Sequence, residues 1–508
     1  MRNKKRLLAC MLAATMVVTA VPSDVLAQTI TETVSTNSIS VDVENETSTV
    51  EPEERIGINP VAPSDTIRYK KVDVESENIP ISTMSVYKDM DYSFLKSFSF
   101  GTTYKGEVNL KIITAEKLKE SADVRIKEGN VVQTAGFYSE DDGGAGTYKI
   151  VDKSSERTIS LKNGLYAELI PDITTIGDKQ WVVVSPKQIG MKGDGIVAEQ
   201  GLVSNTFSIA SNVVAQSENV FRGIVYLPKG EYKCNGQLCF SVKDINIVGD
   251  GDDTVIFTGN DYLDWYEFFM WGNNCQNLYM GEFKIEARER DMQRYFRQFT
   301  FVDSSNVYLY KVNMNIPQET FSMNYYVDKQ YTNFTFYSGN KDMTLDNCKM
   351  ELMCSTFRGA NLGVLDFYCR GEENITIMNC EFHGNARDEQ IGIFTGVTNR
   401  DASFVKNVNF INNEVHTYSP LDENAAGGHR TMCFTVAYDE SRNIDGIRIA
   451  GNHFFSQVDS KFITFGNADN CVVENNIFEL DCTANRGSYI FEAGNLSYGD
   501  LVVQNNEV

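Results

Sequence analysis

Several residue types are scarce in this chain of 508 residues, and each scarcity excludes a class of protein. Eleven cysteines and four histidines are too few for a disulfide scaffold, and no CxxC pair or His/Cys cluster has the spacing of a zinc site. We expect core thiols, with one alternative: Cys234 and Cys239 flank Asn235-Gly236, and a disulfide between them would close a hairpin. GxSxG, P-loop and HExxH motifs are also missing, so no metal or cofactor is expected.

Positive charge and long apolar runs are scarce too. The chain has 46 Lys and Arg against 69 Asp and Glu, a formal net charge of −23, and such a chain repels the phosphates of nucleic acid. After the N-terminus, no stretch approaches the roughly 18 apolar residues of a spanning helix. We therefore expect neither a nucleic acid partner nor insertion into a membrane.

Residues 1–27 have the three parts of a secretory signal peptide. Basic residues in the first six positions precede the apolar run Leu7–Val21, and Val25-Leu26-Ala27 fits a cleavage site. Residues 28–93 are rich in Thr, Ser, Val and Glu without a lasting apolar period, which predicts a low-complexity linker with order beginning near Tyr92. The protein is expected to be secreted, free or held at the cell surface.

Residues 94–186 are predicted to form a small mixed α/β lead-in module. Short β-prone runs alternate with Gly/Asp turns, and one helix is expected over Ala115–Glu120, capped by Thr114. Gly136-Phe137-Tyr138 followed by Asp141-Asp142-Gly143-Gly144-Ala145-Gly146-Thr147-Tyr148 resembles the lead-in module of phage tailspikes and related secreted proteins. In that group the module precedes a β-helix.

The remaining chain contains an internal repeat of the form apolar-x-apolar-x-(Asn/Gly)-x-x-apolar. Clear copies are Ile245–Gly249, Met343–Asn347, Ile375–Asn379, Val408–Asn412, Ile447–Gly451, Cys471–Asn475 and Leu501–Asn505, and weaker copies begin at Leu278 and Val307. The Asn/Gly position falls at residues 249, 282, 311, 347, 379, 412, 451, 475 and 505. Alternation of period two and Gly/Asn punctuation oppose a helical interpretation, and the irregular spacing opposes a leucine-rich repeat.

Each repeat is predicted to form one coil of a parallel β-helix. Stacking of coils at strand spacing buries a continuous apolar interior. Asparagine is expected at the turn because its side chain tolerates the left-handed conformation and hydrogen-bonds to the same position on the next coil.

Two further segments, Ile189–Gly195 and Val225–Tyr232, together resemble the opening of the pectate-lyase superfamily, in which the second segment forms the first coil. The resemblance implies an all-β fold, a right-handed single-stranded parallel β-helix over residues 187–508. The family's usual pair of aspartates and Thr is replaced here by Ala198, Glu199 and Gln200, which puts the subfamily in doubt. The repeat continues to Val508 without a polar cap, so we expect further chain or a contact between copies, such as a homotrimer, to cover that end.

Charged residues recur where the chain leads into one strand of each coil. These lead-ins are Arg358-Gly359-Ala360-Asn361, Arg387-Asp388-Glu389, Gly428-His429-Arg430, Asp459-Ser460-Lys461 and Asn485-Arg486. They are expected to lie one above another. Their order resembles the catalytic face of polygalacturonases and rhamnogalacturonan hydrolases, with Asp388 and Glu389 at the Asp pair and His429 at the histidine; the third acid is absent, and Asn361 stands in the first segment.

The resemblance implies a glycoside hydrolase acting on an acidic, pectin-like polysaccharide. Hydrolysis requires one protonated carboxyl group and one ionised carboxylate, and two adjacent acids separate their pKa values in that way. Asp388 is the expected acid, with Glu389 or Asp459 as base and His429 orienting them. The residues expected to hold the substrate are Arg358, Asn361, Arg430, Lys461 and Arg486.

Two alternatives remain. One is a polysaccharide lyase of the same fold, for which Asp250-Gly251-Asp252-Asp253 would hold Ca²⁺ unless it only caps a coil turn. The other is a tailspike-like surface protein that binds glycans without cleaving them. An aromatic cluster fits either sugar stacking or core packing, namely Tyr262, Trp265, Tyr266, Phe268, Phe269 and Trp271.

Overall fold

The computed structural model describes the chain from residue 79 onward with gaps. The described ranges are 79–121, 124–155, 157–259, 268–288, 295–316, 330–352, 362–367, 371–384, 389–393, 404–418, 429–435, 444–457, 460–466, 468–481, 489–494 and 501–508. The signal peptide and residues 28–78 of the predicted linker lie outside them.

The lead-in module is built on a five-stranded sheet of order β1-β2-β3-β5-β4. Its strands are β1 (Leu110–Thr114), β2 (Val131–Gly136), β3 (Thr147–Val151), β4 (Thr158–Ser160) and β5 (Tyr166–Ile170). Helix α1 covers Ala115–Glu120, and the Thr114 side chain accepts a hydrogen bond from the Lys117 N–H at 3.2 Å. The predicted helix and its cap are confirmed.

The motif between β2 and β3 joins this module to the rest of the fold. The Asp142 carboxylate accepts hydrogen bonds from four backbone N–H groups, those of Phe137, Tyr138, Ser139 and Gly144. These bonds lower the pKa of Asp142, although partial burial opposes them. The Tyr148 hydroxyl donates to the Gln188 carbonyl. The motif that resembles tailspike lead-ins is thus a structural joint.

The two strands that precede the boundary predicted at residue 186 belong to the sheet that follows it. Strands β6 (Asp172–Ile176) and β7 (Lys179–Val184) form an antiparallel hairpin, and β7 pairs in parallel with β8 (Val220–Tyr226) of the following sheet. A 3₁₀ helix, Pro186–Ile189, and helix α2, Gln200–Gln216, lie between β7 and β8. Helix α2, which the sequence analysis did not predict, packs Val203, Phe207 and Ala210 into the main core at the start of the β-helix.

Three walls of strands follow, and successive coils add strands to each of them. Wall 1 is the nine-stranded sheet of β10 (Leu238–Phe240), β13 (Phe268–Asn273), β15 (Tyr295–Val302), β17 (Gln330–Ser338), β20 (Leu362–Phe367), β23 (Glu389–Ile393), β26 (His429–Thr435), β29 (Ser460–Gly466) and β33 (Tyr489–Gly494). Its strands pair in parallel in that order.

Walls 2 and 3 belong to one twenty-stranded sheet that bends at a corner. Wall 2 contains β8, β11 (Lys243–Val248), the first parts of β14 (Gln276–Glu286) and β16 (Ser305–Ile316), β18 (Lys341–Asp346), β21 (Glu372–Met378), β24 (Val405–Ile411), β27 (Ile444–Ala450), β30 (Ala468–Asp469), β31 (Cys471–Glu474) and β34 (Leu501–Gln504). Wall 3 contains β9 (Gly230–Cys234), β12 (Thr254–Thr258), the second parts of β14 and β16, β19 (Lys349–Leu352), β22 (Glu381–Gly384), β25 (Glu414–Thr417), β28 (His453–Ser456) and β32 (Ile477–Leu480). The fold is a right-handed single-stranded parallel β-helix, as predicted, and β8 with β9 opens it at the expected segment.

The interior is a continuous apolar column. In wall 1 the register aligns Phe301, Phe336 and Phe367 on successive coils, and the rings of the last two stack with centroids 4.7 Å apart. In wall 2 the same register aligns core residues such as Met343 and Ile375. Each buried side chain of this size contributes about 1.5–3 kcal/mol, which offsets the conformational cost of ordering the coil.

At the corner between walls 2 and 3, the two functions predicted for asparagine, the left-handed turn and the hydrogen bond to the next coil, belong to two adjacent residues. Positive φ angles occur at eight of the nine predicted turn positions, all except Gly249, and include Asn412 (φ 56°) and Gly451 (φ 65°). The hydrogen-bond ladder is made by the next residue. The buried Asn452 side chain donates to the Phe410 carbonyl and to Asn476 Oδ1, and its own Oδ1 accepts from the Asn413 N–H at 2.8 Å. The left-handed residue turns the chain, and its neighbour joins the coils.

Residues 79–92, which we call the strap, correct the predicted linker. The strap includes a 3₁₀ helix at Thr83–Tyr87 and lies on the outer face of wall 2, where the Ser82 N–H donates to Thr344 Oγ1 and Lys88 Nζ lies 3.1 Å from Asp346. Met84 packs with Tyr279 and Tyr308, two aromatic residues of wall 2 that would otherwise face solvent. A second 3₁₀ helix follows at Ser93–Ser97. The sequence did not reveal these contacts, because they involve too few residues to produce a periodic apolar pattern.

No disulfide joins any two of the six cysteines whose side chains the structure describes. Cys234, Cys275, Cys348, Cys380 and Cys471 are buried, and Cys239 is partly buried. The alternative of a Cys234–Cys239 disulfide is therefore wrong, and the expectation of core thiols is confirmed for the buried five. A search of the described residues finds no helix long and apolar enough to cross a membrane.

Candidate functional site

The predicted site residues fall at the start of the wall 1 strands. Asp388, Asp459, Arg358, Asn361 and Arg486 lie outside the described residues. Glu389, His429, Arg430 and Lys461 lie in strands β23, β26 and β29, of which the backbone is described.

The register of these strands brings three of the predicted residues together. In the strand register, Glu389 lies opposite Arg430, and Arg430 lies opposite Lys461. His429 is one residue earlier in the strand and pairs with Ser460. Because paired strands lie about 4.8 Å apart, Glu389, Arg430 and Lys461 form one column over three successive coils.

The same column continues toward the N-terminus of the β-helix. Arg297 pairs with Thr332 and Thr332 with Gly363, which stands two residues before Leu365, as Glu389 stands two before its partner Ile391. Arg297, which the sequence analysis did not select, is thus three coils before Glu389 in this column.

Arg297 forms a buried ion pair. Its Nε lies 4.0 Å from Asp366 Oδ2, and each side chain is only 5% exposed. The guanidinium also lies 5.8 Å from the Phe268 ring centroid and 5.6 Å from that of Tyr337. Charges as buried as these are retained in proteins when they are paired, and a guanidinium between rings gains a cation–π attraction.

Asp366 belongs to a second column on wall 1. Thr300 pairs with Thr335 and Thr335 with Asp366, and these residues alternate with the core phenylalanines of the same strands, which puts them on the outer face. The hydroxyls of Thr300 and Thr335 are buried and have no hydrogen-bond partner among the described residues. The sequence signal that could have identified this acid is its place inside the apolar run Val364-Leu365-Asp366-Phe367.

Of the predicted aromatic cluster, the described members divide between two roles. Phe269 is fully buried in the core. Phe268 and Trp271 are partly buried, with ring centroids 5.1 Å apart, and Phe268 contacts Tyr337 edge to face. Tyr262, Trp265 and Tyr266 lie outside the described residues.

The outer face of wall 3 carries a second cluster, which we call the histidine strip. Its residues are Lys349, Glu351, Glu381, His383, Glu414, His416, Tyr418, His453 and Glu479. The register aligns Lys349, Glu381, Glu414 and His453 in one column and Glu351, His383 and His416 in the next.

Stacked rings run through the strip. The rings of His383 and His416 lie 4.8 Å apart at 25°, and His383 Nδ1 lies 3.0 Å from the Tyr418 hydroxyl. His383 Nε2 lies 3.5 Å from Glu381. The sequence analysis missed this cluster, although both histidines stand four residues after a turn asparagine, Asn379 and Asn412.

The pKa values of the histidines are shifted in opposite directions. Burial, with the neighbouring His383, lowers the pKa of His416 to about 4, and burial with the nearby Lys349 lowers the pKa of His383. Burial acts in the same direction on His453, but hydrogen bonds to Glu414 (2.8 Å) and Glu479 (3.2 Å) outweigh it and raise its pKa. Both ring nitrogens of His453 face carboxylates, so the ring bridges three coils and these contacts favour its protonated form.

Two motifs from the sequence have structural roles. Asp250 accepts hydrogen bonds from the Tyr226 hydroxyl and the Lys229 N–H, and Asp253 pairs with Lys229 at 2.7 Å, so this acidic segment holds a coil turn. Glu199 accepts from the N–H groups of Lys192 and Gly193, so it holds the first glycine-rich segment. Within the described ranges, no three His, Cys, Asp or Glu side chains are arranged to hold a metal ion.

Comparison with known proteins gives similarity at the level of the fold. No protein-family model matches the chain, and neither does any curated protein. Similar solved structures include a tailspike protein of an Acinetobacter phage, with 11% identity over 78% of this chain and 71% of that chain and a TM-score of 0.44. The catalytic domain of Agl-KA has 14% identity over 68% and 58%, with a TM-score of 0.42, and PfbA, a surface adhesin of Streptococcus pneumoniae, has 14% over 64% and 78%, with a TM-score of 0.43. Similarity this low carries no argument about function.

Proposed function

We propose that this protein is a secreted enzyme that degrades an acidic polysaccharide along the outer face of wall 1. The observation that carries the proposal is the column of Glu389, Arg430 and Lys461 on three successive coils. Two cations in a row at strand spacing, next to one carboxylate, suit a polymer that presents a carboxylate on each sugar.

In this proposal hydrolysis uses the residues at the start of the wall 1 strands. Asp388 donates a proton to the leaving oxygen, Glu389 or Asp459 activates water, and His429 orients the acids. Arg430, Lys461 and Arg486 hold the uronate or sulfate groups, with Arg358 and Asn361 on an earlier coil. The buried Arg297–Asp366 pair lies earlier on the same wall, where Arg297 belongs to that column.

One observation favours elimination as the second candidate. Arg430 and Lys461 are direct neighbours in the register, and a lyase needs one cation to neutralise the uronate carboxylate and a second basic group to remove the adjacent proton. Ca²⁺ would then be the added cofactor. A glycan-binding surface protein without catalysis is the remaining outcome.

The test is incubation of the mature protein with a panel of pectic and other acidic polysaccharides. New reducing ends without ultraviolet absorbance support hydrolysis, and absorbance from unsaturated sugars supports a lyase. The Asp388→Asn variant should lose the activity, whereas Glu373→Gln, which changes a half-buried acid of wall 2 paired with Lys341, should keep it. Binding without product from any substrate would contradict the enzyme proposal.

A further inference from the structure

Wall 1 carries a row of buried polar side chains that the proposed hydrolysis does not use. Trp271 lies opposite Thr300 in the strand register, and Thr300 lies opposite Thr335. The same register continues through the next strands to Thr464, in the strand that also contains Lys461. We call Trp271, Thr300, Thr335 and Thr464 the donor column, since each side chain can donate a hydrogen bond.

The donor column has no acceptors of its own. The indole N–H of Trp271 and the three threonine hydroxyls are buried, and none of them has a hydrogen-bond partner in the part of the chain that the structure describes. Thr300 and Thr335 are 0% exposed. Burying a polar group without a hydrogen bond is unfavourable, and native proteins leave few such groups. Four of them in one column therefore point to an occupant that supplies acceptors.

Aromatic rings and one ion pair adjoin the first part of the column. Phe268, Trp271 and Tyr337 are partly buried, so part of each ring is open to solvent. Phe268 contacts both of the other rings. Arg297 stands on β15 and Asp366 on β20, so their ion pair crosses the strand between them, β17. Because the two charges of the pair balance, this part of wall 1 has no unbalanced cation for a carboxylate.

These features match a neutral sugar. The hydroxyl and ring oxygens of a sugar accept hydrogen bonds, and its apolar face packs on aromatic rings. An ammonium compound would bring further donors where acceptors are needed. We propose that the first coils of wall 1 form a subsite that binds a neutral sugar unit on the rings of Phe268, Trp271 and Tyr337, with the donor column at its base.

The subsite implies a mixed composition for the polysaccharide. Thr335 on β17 and Arg430 on β26 are three strands apart, about 14 Å at strand spacing. An oligosaccharide that lies along wall 1 reaches both, so the expected substrate has neutral and acidic sugars in one chain. The subsite rests on the proposed function in this respect, because both are assigned to the same polymer.

The experiment is calorimetric titration of the mature protein with neutral oligosaccharides of galactose, glucose, mannose and xylose and with an oligogalacturonate. The galactose oligosaccharide is chosen with the linkage and length of the oligogalacturonate, so that the two differ only in the carboxylate on each unit. Thr335→Val should weaken binding of the best neutral oligosaccharide by about fivefold, because one hydrogen bond to the sugar is lost. Lys461→Ala should weaken binding of the oligogalacturonate and leave neutral binding unchanged.

Stability measurements separate a binding role from a structural one. Thr335→Val breaks no hydrogen bond between described residues, so its urea denaturation midpoint should equal that of the unmodified protein or exceed it. Thr344→Val is the matched control at an outer position of wall 2, where the hydroxyl accepts a hydrogen bond from the Ser82 N–H. This control should lower the midpoint and leave neutral binding unchanged.

Each outcome decides the proposal. Binding of no neutral oligosaccharide, or equal binding by Thr335→Val and the unmodified protein, would overturn it and assign the donor column to buried water. If an acidic polysaccharide is degraded while no neutral sugar binds, the subsite fails alone. If a neutral oligosaccharide binds and Thr335→Val weakens it, while no polysaccharide is degraded, the subsite stands and the enzyme proposal fails.

Discussion

The outer faces of walls 1 and 3 are built on the same coils, yet their charged side chains differ in how far they are exposed to solvent. Wall 1 buries an ion pair, Arg297–Asp366, each side chain 5% exposed, between aromatic rings. Wall 3 leaves its pair Lys349–Glu351 about a third or more exposed and surrounds it with carboxylates and histidines. The β-helix therefore supplies a regular scaffold for both faces. The residues at two outer positions per strand decide whether the charges of a face are buried or remain open to solvent and protons.

The largest difference in stability is expected when one carboxylate is removed from each face. Asp366→Ala should lower the free energy of unfolding by about 3–5 kcal/mol, because it leaves a buried guanidinium without its carboxylate. Glu351→Ala on wall 3 should cost about 0.5 kcal/mol or less, because that pair is solvated. Urea denaturation of both variants measures the difference, and equal costs would contradict the contrast between the faces.

The second prediction concerns activity. Asp388→Asn should reduce polysaccharide degradation by about 10²-fold or more through loss of the general acid. His383→Gln on wall 3 should leave the rate of degradation unchanged. Initial rates on the active polysaccharide decide it, and a loss with His383→Gln alone would move the catalytic site to wall 3.

Glu372 lies at the corner that leads from wall 1 into wall 2, and burial raises its pKa to about 8. The folded protein keeps this proton up to that pH, whereas the unfolded chain releases it near 4.3. The folded state therefore binds more protons between these values, and stability falls as the pH rises through them. Glu372→Gln should stabilise the protein by about 2 kcal/mol at pH 8 and by much less at pH 5. Denaturation midpoints at both pH values check it, and an equal effect at both would contradict the assigned ionisation.

The smallest effect is expected in the pH dependence of stability for two histidines of wall 3. The raised pKa of His453 means that its contribution to stability is fully present below about 6.5 and is lost as the pH rises through the higher folded value. His453→Gln should cost about 1 kcal/mol at pH 6 and little at pH 9. His383, whose pKa is lowered, should give the opposite slope, with stability lost as the pH falls. Melting temperatures of both variants across this range test the pair, and parallel slopes would contradict the assigned bridge.

The repeat could be predicted in detail because its physics is local. The apolar alternation sets the inward face, and the residue at each turn must accept a positive φ, so Asn347, Asn379 and Asn412 mark the corners in the sequence. The buried ladder at Asn413, Asn452 and Asn476 was merged with these turns because the two positions are adjacent. Their roles differ only in which side chain points into the coil stack.

The candidate site was less predictable because some of its contacts join residues on different coils. The lead-in charges Glu389, Arg430 and Lys461 could be aligned by counting from the strands, and the register agrees. The partnership of Arg297 with Asp366 skips a coil, and no period in the sequence links them. The strap and helix α2 were missed likewise, because their partners lie far away in the chain.

The sequence by itself determined the period, the inward and outward positions and the corners of this β-helix, since these depend on residues within one coil. The tertiary structure decided which outward residues become neighbours, since coil lengths vary and stacking alone sets the register. The three histidines of wall 3 are separated by more than thirty residues in the chain and adjoin in space. Their charges follow from that proximity and from burial, two quantities that a linear sequence does not contain.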